Sequence, residues 1–162
     1  MDIQEKFRTA MRGFFASVSV MALKNSNGFF AITVSSVTSI SLDPPSLLVC
    51  INKDSRIHSE LLEGELVSIN LLTKDQQHIS EKCSNSLLEG ERFDQEYWDI
   101  INTPIVKNAQ ANFLCKISNM IDHGTHSILL LDVQDVEHLD EDRKSTRLNS
   151  SHSQQSRMPS SA

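Results

Sequence analysis

Residues 30–45, Phe-Ala-Ile-Thr-Val-Ser-Ser-Val-Thr-Ser-Ile-Ser-Leu-Asp-Pro-Pro, constrain this chain more than any other stretch. Their first part alternates as a strand does. Phe30, Ile32 and Val34 share one face; Ala31, Thr33 and Ser35 share the other. The phase then slips, because Val37 is out of register with Val34 and apolar positions resume at Ile40 and Leu42. A slip of one residue turns a whole face over, so a bulge or turn is expected at Ser35-Ser36. Small hydroxyl side chains and free backbone N–H groups are thereby held beside a break in a ladder. Asp43-Pro44-Pro45 should then stop the pairing, since proline has no N–H to donate. Two readings fit. One is an ordinary Ser/Thr-rich strand with its loop. The other is the edge of a ligand site on which a flat, polar-rimmed ring lies.

The flanking chain reads as short elements. Ile3, Phe7, Ala10 and Met11 mark one apolar face of an N-terminal helix that Gly13 ends. Phe14 to Leu23 is expected as a strand, with Ala16, Val18 and Val20 alternating against Ser17 and Ser19. Asn25-Ser26-Asn27-Gly28 is a hairpin turn, its Asn-Gly supplying positive φ. Leu47 to Ile51 is a continuous apolar run, expected to be buried on both faces. The switch to Asn52-Lys53-Asp54-Ser55-Arg56 is abrupt, and a short helix should follow from Ile57 to Leu62 with Ser55 as its N-cap. After Gly64, a strand is expected from Leu66 to Leu72. Thr73-Lys74-Asp75-Gln76 is a capping-box pattern opening a helix through about Cys83. Asn85 to Val106 is irregular and carries Arg92-Phe93 and Tyr97-Trp98. Phe113, Cys115 and Ile117 alternate as one strand, and Ile128 to Val136 is another; His123-Gly124-Thr125-His126 connects them. About six short strands with hairpin signals point to a closed barrel rather than a doubly wound sheet.

Composition narrows the function classes. The net charge of −6 and the lack of a basic stripe outside the tail argue against general nucleic-acid binding. No apolar run approaches the ~20 residues that span a membrane. The charged N-terminus lacks a signal-peptide core. Cys50, Cys83 and Cys115 are odd in number and widely spaced, which suits free thiols in a reducing cytoplasm. Residues 143–162 differ in kind. They hold four of the 15 basic residues and none of the 21 acidic ones, leaving 11 basic against 21 acidic in residues 1–142. The chain therefore divides into a domain of residues 1–142 and a disordered, non-native tail of residues 143–162, which reads like adapter-derived sequence.

Chemical motifs are few. There is no G-x-G-x-x-G and no Walker loop. None of the six histidines pairs with Cys or Glu at a dependable metal-ligand spacing, and His123/His126 is only a weak H-x-x-H, so no metal site is expected. Ser55 and Arg56 at a helix start allow two readings. An anion can sit on free N–H groups and a guanidinium fork, or the pair can be an N-cap serine beside a solvated arginine.

Thr33-Val34-Ser35-Ser36 with Ser39-Ile40-Ser41-Leu42-Asp43-Pro44-Pro45 resembles the signature of the flavin reductase-like family, the FMN-binding split barrels. The resemblance runs from about Phe7 to about Val136. It implies a mainly β fold: an antiparallel, Greek-key-like split β-barrel with short flanking helices. It implies an NAD(P)H-dependent flavin reductase that uses FMN or FAD with NADH or NADPH. Reduced flavin would pass to a partner monooxygenase, and the protein would be a homodimer. A non-catalytic flavin-binding or electron-transfer barrel is the alternative. By the same resemblance, Thr33, Val34, Ser35 and Ser36 would border the flavin ring. Cys50, Ile51 and Asn52 would run beneath the ribityl chain, and Ser55 and Arg56 would hold the phosphate. Arg92, of the Arg92-Phe93 pair, would reach the phosphate or the partner subunit. Gly124-Thr125-His126 resembles the family segment whose histidine lies near the nicotinamide, which makes His126 the catalytic candidate; a histidine merely exposed on a loop fits the residues equally. Stacked rings need no general base, which accounts for the absence of an acid–base dyad. The glycine usual before the acidic residue of Leu130-Leu131-Asp132-Val133 is missing here.

Overall fold

The computed structural model describes residues 2–14 and 16–139. The expectation for the tail after Arg143 lies outside them. Asp2 opens α1 (Ile3–Met11) by accepting a hydrogen bond from the Glu5 N–H at 2.8 Å. The expected apolar face of this helix is present but uncovered: Ile3 and Phe7 are 78% and 64% exposed.

The strands are β1 (Ser19–Asn25), β2 (Gly28–Val34), β3 (Thr38–Leu42), β4 (Pro45–Asn52), β5 (Leu66–Leu71), β6 (Trp98–Asp99), β7 (Ile105–Val106), β8 (Ala111–His123) and β9 (His126–His138). Seven of them form one antiparallel sheet in the order β2-β1-β5-β8-β9-β4-β3, while β6 and β7 pair separately. Consecutive strands β2 and β3 thus stand at opposite edges. This explains the phase slip, which is not a bulge within a strand. One strand ends at Val34, and Ser35–Val37 carries the chain across to the other edge. Ser36 fastens the crossing. Its hydroxyl donates to the Cys50 carbonyl at 3.2 Å, and its oxygen accepts the Cys50 N–H at 3.0 Å. These bonds tie the crossing segment to β4, while no ladder joins β2 to β3 among the described residues, so the barrel is split.

Burial follows from this closure. Phe30, Val34, Leu47, Val49, Ile51, Ile69, Ile117 and Leu129 meet in the barrel interior. A second core of Val20, Ala22, Ala31, Ile79, Cys83 and Trp98 lies on the outer side of β1 and β2. There α2 (Gln77–Ser84) and the aromatic segment after it cover the sheet. Both faces of β1 are therefore buried. The strand starts at Ser19 instead of Phe14, and the expected serine/apolar alternation gives way to two covered faces.

Four further expectations are corrected. Gly28 carries the positive φ of the first hairpin, at 126°, and Asn27 does not. Asp43-Pro44-Pro45 makes a tight hairpin with Leu42 opposite Pro45, because proline is tolerated as the first residue of a strand. In β4, Leu47, Val49 and Ile51 are buried but Leu48 and Cys50 are half-buried, so this strand alternates. The segment after Ser55 is a five-residue 3₁₀ turn, Arg56–Glu60, and Ser55 makes no side-chain cap to it.

The capping box at Thr73–Gln76 is formed, with the Thr73 N–H donating to Gln76 Oε1 at 3.1 Å. The irregular segment is packed by its own aromatics, as expected. Phe93 lies 4.8 Å from Trp98, and Tyr97 stands edge-on to His78 at 4.6 Å.

Candidate functional site

Two adjoining grooves open where β2 faces the 3₁₀ turn. One, of about 370 Å³, is lined by Thr33, Asp54, Ser55, Arg56, Ser84, Ser86, Glu89 and Arg92, among others. The other, of about 180 Å³, carries Phe29, Phe30 and Phe93 and shares Arg56, Glu89 and Arg92 with the first. Together they put aromatic faces, hydroxyls and a guanidinium around one opening. That mixture suits a flat ring with a polar, anionic extension. A cleft of about 500 Å³ elsewhere on the barrel is lined by Asp99, Asp135 and Glu137 with no basic residue. Three carboxylates there disfavour an anionic ligand.

The 3₁₀ turn that presents Arg56 is held from both ends. Ser55 Oγ donates to the Asn52 carbonyl at 2.6 Å. The Asn25 and Asn27 amides donate to Glu60 Oε2 at 2.8 and 2.9 Å. The bonds from Asn27 and then Asn25 hold the Glu60 carboxyl below its usual range. Behind the turn, buried Ser127 donates to Asp122 Oδ1 at 2.9 Å, so its oxygen is left to accept from His58 Nε2 at 2.8 Å. This places the proton on Nε2 of His58 and ties the turn to the β8–β9 hairpin. The Arg56 side chain is two-thirds exposed, and its guanidinium lies 5.7 Å from the Phe30 ring centre and pairs with Glu89 at 2.5 Å.

The structure gathers only part of the expected residue set in the groove. Thr33, Ser55, Arg56 and Arg92 line it. The Thr33 hydroxyl is already donated to the Ser80 carbonyl at 2.6 Å. Val34 and Ile51 are buried in the barrel core, so only their main chain remains for a ligand. Ser36 and Cys50 are bonded to each other, and Ser35 is exposed at the bend. Three of the five Arg92 N–H donors go to carbonyls: Nε to Lys82 at 2.8 Å, Nη1 to Ala31 at 2.8 Å and Nη2 to Asn85 at 3.1 Å. His126 stands apart at the hairpin end, opposite Asn52 across β4 and β9, with Nδ1 2.8 Å from Thr125 Oγ1. Gly124, at φ 56°, makes that turn. Sequence reasoning missed Glu89, Ser84 and Ser86. Nothing periodic marks them, and only the fold of 84–92 over β2 brings them to the opening.

Residues 11–156 match the model of the flavin reductase like domain. The chain belongs to the flavin reductase-like family. An FMN reductase (NADH) RutF from Pseudomonas syringae is 31% identical over 137 residues, spanning 83% of this chain and 77% of that protein. The reductase component of a FADH(2)-dependent resorcinol hydroxylase from Rhizobium sp. is 33% identical over 132 residues, spanning 79% and 74%. Among solved structures, BorF, the flavin reductase component of a bacterial two-component tryptophan halogenase, superposes with a TM-score of 0.77 at 31% identity, over 85% of this chain and 89% of that one. The expected family and split-barrel fold are thus borne out. The groove residues also fit a flavin: hydroxyls and aromatics line the opening, and Arg56 is exposed enough to exchange its carboxylate for a phosphate.

Proposed function

We propose that this chain is an NAD(P)H:flavin oxidoreductase that takes FMN with NADH, as its relatives' names describe for them, and delivers reduced flavin to a partner monooxygenase. The observation that carries the reading is the opening between β2 and the 3₁₀ turn, in a chain of this family, where an exposed arginine meets hydroxyls and aromatic faces. When bound, the flavin supplies a ring that accepts hydride from a stacked nicotinamide. The protein's part is to orient and shield. The end of β2 at Thr33–Ser36 would border the ring, the Cys50–Asn52 main chain would support the ribityl chain, and Ser55 and Arg56 would take the phosphate. The uncovered apolar residues Ile3, Phe7 and Met11 of α1, with Phe14 beyond its end 72% exposed, support a homodimer. Three free thiols support a reducing cytoplasm. The test is NADH oxidation with excess free FMN. Turnover supports the reading, whereas FMN binding without NADH oxidation leaves a flavin-binding protein and overturns it.

The phosphate assignment makes a separate prediction. Arg56→Ala should weaken FMN binding by about 1.5–3 kcal/mol, tenfold or more, and riboflavin binding much less. Titration of both flavins measures the difference, and equal losses would remove Arg56 from the phosphate.

His126 is assigned to the nicotinamide side. The β4–β9 register keeps it beside Asn52, next to the strand that carries the expected ribityl contacts. Its imidazole can hydrogen-bond a carboxamide or phosphate of the dinucleotide. His126→Ala should raise the KM for NADH several-fold or slow hydride transfer while leaving flavin affinity near wild type. Stopped-flow reduction of bound flavin is the measurement, and unchanged NADH kinetics would leave His126 without a role.

A further inference from the structure

Glu89 occupies the place where an incoming anion must go. Its Oε2 lies 2.5 Å from Arg56 Nη1, and its Oε1 is 3.9 Å from Arg92 Nη1. It lines both grooves. The carboxylate side chain is 28% exposed against 67% for Arg56, so the acidic group is the more enclosed partner. Arg92 is the less available seat, because three of its five N–H donors are bonded to the Lys82, Ala31 and Asn85 carbonyls and its side chain is 11% exposed. Arg56 is therefore the more accessible guanidinium in this groove, and Glu89 already holds it.

We propose that Glu89 is a built-in competitor of the flavin phosphate. Its carboxylate neutralises Arg56 when the groove is open and must swing away, or repel, when a phosphorylated flavin enters. The residue thereby sets the discrimination between phosphorylated and unphosphorylated flavin and keeps the phosphorylated form exchangeable. This rests on the reading of Arg56 as the phosphate contact. The physical argument is one of charge. A flavin phosphate carries about −1.5 to −2 at neutral pH. Two anions on one guanidinium repel, and a partly exposed ion pair resists displacement only weakly. Glu89 can move. The main chain of the 3₁₀ turn Ser86–Glu91 is held at both ends, by the Leu87 N–H bonded to Asn85 Oδ1 at 2.9 Å and the Arg92 N–H bonded to the Glu89 carbonyl at 3.4 Å, so the movement is one of side-chain rotamer. Easy exchange is what a reductase that passes on its reduced product requires, since a tightly held flavin would not leave.

The test compares dissociation constants of FMN and riboflavin for the full chain and for Glu89→Gln, Glu89→Asp, Arg56→Ala and the double variant Arg56→Ala/Glu89→Gln. Glu89→Gln keeps shape and hydrogen bonding but removes the charge. It should tighten FMN about five- to tenfold, slow its release to match, and change riboflavin less than about twofold. Glu89→Asp, which keeps the charge, should leave the FMN-to-riboflavin ratio within about twofold of wild type. In the Arg56→Ala background the effect of Glu89→Gln should shrink, since competition for the guanidinium is gone and only direct repulsion of the phosphate is relieved; an undiminished effect overturns the competition for Arg56. Selective loss of FMN in Arg56→Ala, with an unchanged or weakened preference for FMN over riboflavin in Glu89→Gln, overturns the role of Glu89 alone. An equal rise in Glu89→Asp overturns it too, because shape and not charge would then be acting. Equal weakening of both flavins in Arg56→Ala instead overturns the phosphate reading beneath it.

Discussion

Asn70→Ala should lower the unfolding free energy by about 3–5 kcal/mol, the largest loss expected from any single polar side chain in the described residues. Asn70 is fully buried on β5. Its Nδ2 donates to the Val20 carbonyl at 3.0 Å and to Ser68 Oγ at 2.9 Å. Its Oδ1 accepts the Val106 N–H at 2.9 Å and Asn112 Nδ2 at 2.6 Å. One amide thus satisfies the neighbouring strands β1 and β8 and fastens β7, while Ser68 beside it donates to the Pro104 carbonyl. Alanine removes the side-chain partner of the buried Val106 N–H and of the Val20 carbonyl, each loss costing about 1–3 kcal/mol, while Asn112, part-buried at the cleft, keeps its bond to the Val106 carbonyl. The loss should be partly local. Segment 98–107 reaches β5 through these bonds, so its amides should exchange faster before the barrel opens. Urea midpoints and hydrogen exchange measure both effects. Ser118→Ala is the control: its hydroxyl bonds the Leu130 carbonyl from an exposed site, and its loss should stay within about 1 kcal/mol. Equal midpoints for the two variants would show that the Asn70 network does not hold this segment.

Much of the fold was legible because it rests on local rules. Period-two alternation found the inner face of β2, the capping pattern found the start at Thr73, and glycine and asparagine marked the first hairpin. What escaped was set by tertiary contacts. The break at Ser35-Ser36 has the signature of a bulge, yet the same slip arises when a chain leaves one sheet edge for the other. Only the placement of β4, through the Ser36–Cys50 bonds, distinguishes the two. Burial of β1 on both faces depends on α2 and Trp98, which lie far away in sequence. The site was legible in the same measure. Thr33 comes from the family resemblance, and Ser55 and Arg56 from that resemblance beside an anion reading at a helix start, where the structure has a 3₁₀ turn; all three line the opening. Glu89 sits in a loop without periodicity, and its meaning appears only when the fold sets its carboxylate on Arg56.

Arg92 shows how two arginines that look alike in sequence separate in structure. Arg92→Lys should destabilise the protein by about 2–4 kcal/mol, whereas Arg56→Ala should change stability by no more than about 0.5 kcal/mol. The Arg92 side chain is 11% exposed, and its planar fork reaches three carbonyls in different directions. Two of these, Lys82 and Asn85, belong to the C-terminal end of α2, where carbonyls lack helical partners and a cation is favourable. The third, Ala31, lies on β2 at the edge of the sheet. Arg92 therefore caps the helix and pins it to the strand that forms one wall of the groove. Thr33, bonded to the Ser80 carbonyl, makes a second pin. A lysine keeps the charge but has a single ammonium on a flexible stem and cannot serve all three acceptors. Arg56 has one partly exposed ion pair to lose, and such pairs contribute little. Thermal melts of the two variants without flavin, followed by FMN and riboflavin titration, give the separation. Arg92→Lys should lose stability and weaken both flavins alike, because the wall loosens. A stable Arg92→Lys variant that loses FMN selectively would instead make Arg92 a phosphate ligand and end its assignment as the clamp between α2 and β2.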